Sequence, residues 1–252
     1  MTLSVSGEPL VAFLLASVRI MAWITVVPPF SGRTIPTTAK VVLALGLAFA
    51  VAPNGGTIPL DSVGLLFNVG TQVLVGLAMG FVTHVLLAAV AAAGSLIDVF
   101  GGFALAQAFD PLSMNQNTVF GKFHQMLATV ILFVSGGHLL IIGGLLRTFH
   151  FLPLGTTPDW SGAPDVMVTA FSMFFVTAVQ IALPMIAVLF VADLGLALLT
   201  KVAPQLNAIN VMFPAKIGLT LLLLGMSFPV LPEAVARLVD LANEAQFALV
   251  GG

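Results

Sequence analysis

Cysteine is absent from the 252 residues, and charge is nearly so: 8 Lys+Arg and 10 Asp+Glu make up 7% of the chain, against roughly 25% in an ordinary soluble domain. Without cysteine there is no disulfide framework, no thiolate nucleophile and no Cys-based metal or iron–sulfur site. So few charges exclude a solvated surface over most of the protein. The net charge of −2 leaves no basic face to neutralise a phosphate backbone, which excludes nucleic acid as a partner. A positively charged n-region is missing before the first apolar run, which leads to Arg19 rather than to a small-residue cleavage site. No cleaved signal peptide is expected.

Apolar side chain dominates instead. Hydrophobic residues make up 59% of the chain and the mean hydropathy is +1.14, more than the interior of a water-soluble domain this size can hide. An all-α protein of polytopic membrane-type helices, long, kinked and paired in hairpins, follows. About 20 apolar residues rising 1.5 Å each cross a ~30 Å hydrocarbon core. Leu10 to Phe30 is the first such run, ending at Pro28-Pro29 and a polar turn through Pro36; Val41 to Ala52 is shorter and ends at Pro53-Asn54-Gly55-Gly56. Too short to span comfortably, it either borrows an N-terminal turn or lies shielded by protein.

From Ser62 to Ile97 no Asp, Glu, Lys or Arg occurs. As one helix, Val63 to Phe109 would measure roughly 70 Å, so it must fold back or project beyond a bilayer; Ala93-Gly94-Ser95 and Gly101-Gly102 are the expected bends. A polar loop with Pro111 follows, then an apolar helix over Phe123 to Leu146 and a Pro/Gly-rich connection over Arg147 to Pro164. A long helix runs from Val166 past Asp193 to Leu199, kinked at Pro184. After a turn at Lys201 to Gln205, Ile209 to Met226 is broken at Pro214, and an amphipathic tail carries Glu233, Arg237, Asp240 and Glu244. Arg33 and Lys40 flank the first turn while Pro53 to Asp61 holds only an acid, so the positive-inside rule puts the N-terminus outside.

Polar side chains inside these runs are expensive unless paired. Arg19, Gln72, His84, Asp98, Gln107, His138, Gln180 and Asp193 are therefore candidates. The amides need only helix–helix hydrogen bonds. Asp98 and Asp193 read either as carboxylates buried against a partner or as proton or cation sites. His124, His138 and His150 match no metal-ligand spacing, and no G-x-S-x-G elbow is present; neither metal nor cofactor is expected. Gly76-x-x-x-Gly80 allows close helix contact. The most informative stretch is the loop of Phe103, Leu105, Phe109, Asp110, Pro111, Leu112, Ser113, Met114, Asn115, Gln116, Asn117 and Phe120, where bulky apolar groups surround polar ones. That composition suits a constriction or a binding surface.

An ordered set of motifs resembles the FliR/SctT family, the export-gate membrane proteins of flagellar and virulence type III secretion. It comprises Pro28-Pro29-Phe30-Ser31 with Ile35-Pro36 and Lys40; Ala52-Pro53; Phe109-Asp110-Pro111; Gly137-His138-Leu139-Leu140; and Phe149 to Gly155. It continues with Ala182-Leu183-Pro184, Asp193-Leu194, Ala203-Pro204-Gln205-Leu206-Asn207 and Phe213-Pro214-x-Lys216. Gly136 departs from the pattern, since family members often carry Asn or Asp there. The resemblance implies a non-enzymatic subunit of the bacterial inner membrane and flagellar basal body, assembling with FliP- and FliQ-type subunits into a conduit for unfolded export substrates, beside FlhB- and FlhA-type proteins. It implies a FliP-like part over about 10–165, a FliQ-like hairpin over about 166–230 and a short tail over 231–252, all in one helical membrane domain. It also implies that the 105–120 loop is a pore plug. The competing class is a secondary transporter of a small solute, which predicts two repeated halves; no such repeat is visible. A membrane enzyme would need a clustered nucleophile or metal set, and none stands out.

Overall fold

Proline and glycine punctuate the apolar runs, and the helices begin and end accordingly. The computed structural model describes residues 7–51, 61–103, 118–202 and 208–251. Helix α1 (Glu8–Val26) opens with Glu8 and Pro9 in its first turn, both suited to a helix N-terminus, and ends where Pro28 forces Val27 into an extended conformation (φ −77°, ψ 124°). Helix α2 (Thr37–Val51) starts behind Pro36 and gains its first turn from Thr37 to Lys40; it remains short at 15 residues. Then come α3 (Ser62–Phe100), α4 (Val119–Val134), α5 (Gly137–Phe151), α6 (Ala163–Val202), α7 (Ala208–Leu223), a 3₁₀ turn (Leu224–Ser227) and α8 (Leu231–Leu249). No strand occurs among the described residues. By length and composition α1, α3 and α6 can each cross a membrane, and the count reaches five if two broken helix pairs each form one span.

Four expectations change. The helix α3 is continuous through Ala93-Gly94-Ser95 and stops only at Gly101-Gly102, where Gly102 has φ +84°; Gly94 serves close packing rather than bending. The single helix expected over Phe123 to Leu146 is two, because Gly136 adopts φ +74°, a left-handed conformation that stops a helix. The connection expected from Arg147 begins later, since α5 continues to Phe151. Pro214 lies inside α7 without breaking it, while α6 runs through Pro184 as its apolar pattern indicated. The tail is a 19-residue helix: Leu231, Val235, Leu238, Val239, Ala242, Gln246 and Leu249 are buried at helical spacing, whereas Glu233, Arg237, Asp240 and Glu244 are exposed.

The chain divides into two compact units. The first comprises Met1–Leu86, Gly136–Phe171 and Leu238–Gly252; the second comprises Leu87–Ser135 and Ser172–Arg237. In the first unit α1 is central: Leu15, Ala16, Ile20, Trp23 and Ile24 are all buried. The Gly76 and Gly80 pair packs on it, so that a Cβ on Gly76 would meet the Arg19 carbonyl oxygen, and 2.8 Å away the Ala22 Cβ. Small residues one turn apart let the two backbones approach. Gly76→Leu is therefore expected to lower the accumulated protein several-fold by immunoblot, whereas Gly46→Leu, with open space around Gly46, leaves the level unchanged; equal levels for both would contradict this packing.

Candidate functional site

Two charged side chains are fully buried within the apolar helices, and each is held by the end of another helix rather than by an opposite charge. Asp98 lies in the last turn of α3 and is 0% exposed. Its Oδ2 accepts the backbone N–H groups of Phe120 (2.8 Å) and Gly121 (3.1 Å). These are the second and third residues of α4, whose first N–H groups have no partner within the helix. The residue at the N-cap position, Thr118, makes no capping bond of its own. Its hydroxyl instead lies 2.8 Å from the Ser95 hydroxyl, which also donates to the Ala91 carbonyl. A carboxylate 22 residues upstream thus does the work of an N-cap, and the positive end of the helix dipole offsets its charge.

The surrounding residues make that contact close. Gly94 faces the first turn of α4, where any Cβ would collide with the Phe120 carbonyl oxygen and lie 2.8 Å from the Gly121 Cα. The Phe103 and Phe120 rings pack edge to face at 4.9 Å. Buried His124 donates its Nδ1–H to the Phe120 carbonyl at 2.9 Å. Among the described residues, Asp98 Oδ1 and His124 Nε2 have no hydrogen-bond partner. Together these contacts join the end of α3 to the start of α4, so the chain leaves at Phe103 and returns at Thr118 within one packed cluster. Leu105, Gln107, Phe109, Asp110, Pro111, Leu112, Ser113, Met114, Asn115, Gln116 and Asn117 lie outside the described residues. Gly94→Leu is expected to dislodge the first turn of α4 and expose the junction. Faster limited proteolysis after Phe103 checks this, and an unchanged cleavage rate would refute it.

Arg19 is the counterpart in the first unit, also 0% exposed. Its Nε donates to Gln72 Oε1 at 2.6 Å and its Nη2 to the Leu152 carbonyl at 3.0 Å, with the guanidinium carbon 4.2 Å from the Phe149 ring centroid. Leu152 caps the C-terminus of α5, so the cation sits at the negative end of a helix and over an aromatic face. One turn on, Trp23 Nε1 donates to Gln246 Oε1 at 3.1 Å, tying α8 to α1.

Asp193 answers differently. Lys216 Nζ lies 2.9 Å from both of its carboxylate oxygens, joining α6 to α7. Asp98 and Asp193, alike in the sequence, are thus a helix cap and a salt bridge. His138 is the second residue of α5 and partly buried, and His150 is exposed near the end of the same helix. His84 Nδ1–H donates to the Val26 carbonyl at 3.0 Å. Among the described residues no three His, Asp or Glu side chains gather as a metal site would require. Thr118 and Lys216 carry roles the sequence left unassigned, and Gly94, Ser95 and His124 carry roles other than the bend and the metal ligand weighed for them. Only Thr118, a threonine opening an apolar helix, bears a readable N-cap signal.

The family described as Bacterial export proteins, family 1, matches the chain over residues 10–242. Among similar proteins, the flagellar biosynthetic protein FliR of Escherichia coli (strain K12) is 36% identical over 191 residues, 75% of this chain and 73% of that protein. The flagellar biosynthetic protein FliR of Bacillus subtilis (strain 168) is 29% identical over 249 residues, 95% of this chain and 96% of its own length. The Yop proteins translocation protein T of Yersinia pestis is 26% identical over 209 residues, covering 79% of each chain.

Proposed function

The chain belongs to family 1 of the bacterial export proteins and is a membrane component of flagellar or type III protein export; from that premise we propose that it is a non-enzymatic subunit of the flagellar export gate in the bacterial inner membrane. With FliP- and FliQ-type subunits it forms the conduit for unfolded substrates, and FlhB- and FlhA-type proteins adjoin it in the basal body. Residues 10–165 take the part of a FliP-type subunit and 166–230 that of a FliQ-type hairpin. The 105–120 loop, with Phe103 before it, is the plug of the closed pore.

One observation carries the gate reading: the segment proposed as plug departs and returns at a single junction, where Asp98 caps α4 and Phe103 meets Phe120. A segment tethered at both ends can leave a pore axis and return, which helices packed as walls cannot do. Partners are supported by the large apolar surface that the chain leaves uncovered. On α6 alone Val168, Phe175, Leu183, Val191, Leu198 and Val202 are more than half exposed. Lipid covers part of such a surface and neighbouring subunits the rest.

Expressed alone, the chain is expected to be degraded within minutes, and co-expression with FliP- and FliQ-type subunits should restore it to a long-lived complex. Pulse-chase labelling and co-purification in mild detergent check this. A monodisperse, stable monomer would refute the subunit reading.

A further inference from the structure

Helix α6 has 40 residues and so measures about 60 Å, twice the ~30 Å hydrocarbon thickness. Even at the upper end of ordinary helix tilts, it cannot lie wholly in hydrocarbon. Where it leaves the lipid is marked by charge. Against its middle turns a groove of about 200 Å³ is lined by Thr177, Gln180 and Ile181 of α6 together with Val230 and, from α8, Glu233, Ala234 and Arg237. Both Glu233 and Arg237 are exposed, and the ion pair found among the described residues is Lys216–Asp193, not this one. Exposed charges do not sit in hydrocarbon, so the level of Gln180 is a water–lipid boundary. From Ala163 to Gln180 the helix rises about 25 Å, close to one hydrocarbon thickness.

The groove asks for a ligand of both signs. Glu233 and Arg237 stand one turn apart on one helix face, where Cβ atoms are about 5–6 Å apart, the spacing of opposite charges joined by a two-carbon link. Pro184 has no N–H, so the Gln180 carbonyl lacks its helical donor and remains an acceptor beside the groove. Exposed Phe175 and Val179 lie on the Ala163 side of the Gln180 level on α6 and offer apolar surface for acyl chains. The volume exceeds that of several waters, each ~30 Å³ in the liquid.

We propose that this groove binds the headgroup of a zwitterionic phospholipid of the phosphatidylethanolamine class. Arg237 takes the phosphate through its planar fork of N–H donors, and Glu233 and the Gln180 carbonyl accept from the ammonium. An anionic headgroup would satisfy Arg237 but confront Glu233, and a quaternary ammonium would have no N–H to give.

The test uses the full chain co-expressed with its export-gate partners and reconstituted in equimolar phosphatidylethanolamine and phosphatidylglycerol, with retained lipid counted by native mass spectrometry after transfer to detergent. The wild type should retain the ethanolamine lipid preferentially. Arg237→Gln should reduce that retention about tenfold, the loss of one strong charged contact. Glu233→Gln should shift the preference toward the glycerol lipid, while Glu244→Gln, elsewhere on α8, should match the wild type. Unchanged retention in both groove variants would overturn the proposal. So would a photo-reactive amino acid at Ala234 that cross-links to protein in native membranes instead of to lipid, since that outcome makes the groove a subunit interface.

Discussion

Replacing residues 106–116 by a short Gly/Ser link is expected to leave the export gate assembled while making the membrane permeable to small ions. The first half of that expectation rests on the junction. Asp98, Ser95, Gly94, Thr118, Phe103 and Phe120 all remain, so α3 and α4 keep their contact and a few flexible residues suffice to close the chain. The second half rests on what a protein-conducting pore must withhold. Each proton that leaks down 100 mV dissipates ~2.3 kcal/mol, so the closed state needs a dry constriction. Phe109, Leu112 and Met114 supply apolar bulk, Asp110-Pro111 a turn, and Ser113, Asn115, Gln116 and Asn117 the polarity to accept water when the segment is displaced. Single-channel conductance and growth arrest on induction are the readouts. An assembled deletion variant that holds its membrane potential would remove the 105–120 loop from the role of plug.

Asp98→Leu should be the most damaging single substitution at the junction, and Asp98→Asn a mild one. Leucine removes the carboxylate that accepts from the Phe120 and Gly121 N–H groups, at a cost of about 1–3 kcal/mol for each bond lost in a buried site, enough to lose much of the folded chain. Asparagine keeps an oxygen where Oδ2 accepts both bonds and gives up only the charge. The complex should therefore assemble with Asp98→Asn and retain substantial export, and it should fail to accumulate with Asp98→Leu. Export and co-purification measured on the same strains separate the possibilities. If Asp98→Asn assembles fully but exports nothing at any pH, while export by the wild type follows pH, Asp98 is a proton site rather than a cap.

Much of the architecture was legible in residue patterns. Uncharged runs located α1, α3 and α6, since few alternatives to a helix can satisfy the backbone in lipid. Pro28, Pro36 and Gly101-Gly102 marked helix ends correctly because their backbone constraints are local. The failures have a common cause. Gly94 and Gly136 look alike in an apolar run, yet one lies inside α3 against the α4 backbone and the other stops a helix at φ +74°. Glycine permits both, and the neighbour across the contact selects between them. The α5 boundary and the continuity of α7 through Pro214 were likewise set by packing that local propensity does not record.

The buried charges divide the same way. Composition and hydropathy alone established an all-α membrane chain, and the motif order pointed to its family, because the lipid solvent restricts both the residues and the secondary structure it admits. Which group neutralises each charge was decided only in three dimensions. Arg19 meets Gln72 and Leu152, 53 and 133 residues away, and Asp98 meets Phe120 and Gly121 at the start of another helix. A helix end is an electrostatic partner only when packing aims it at the charge, and no spacing along the chain encodes that aim.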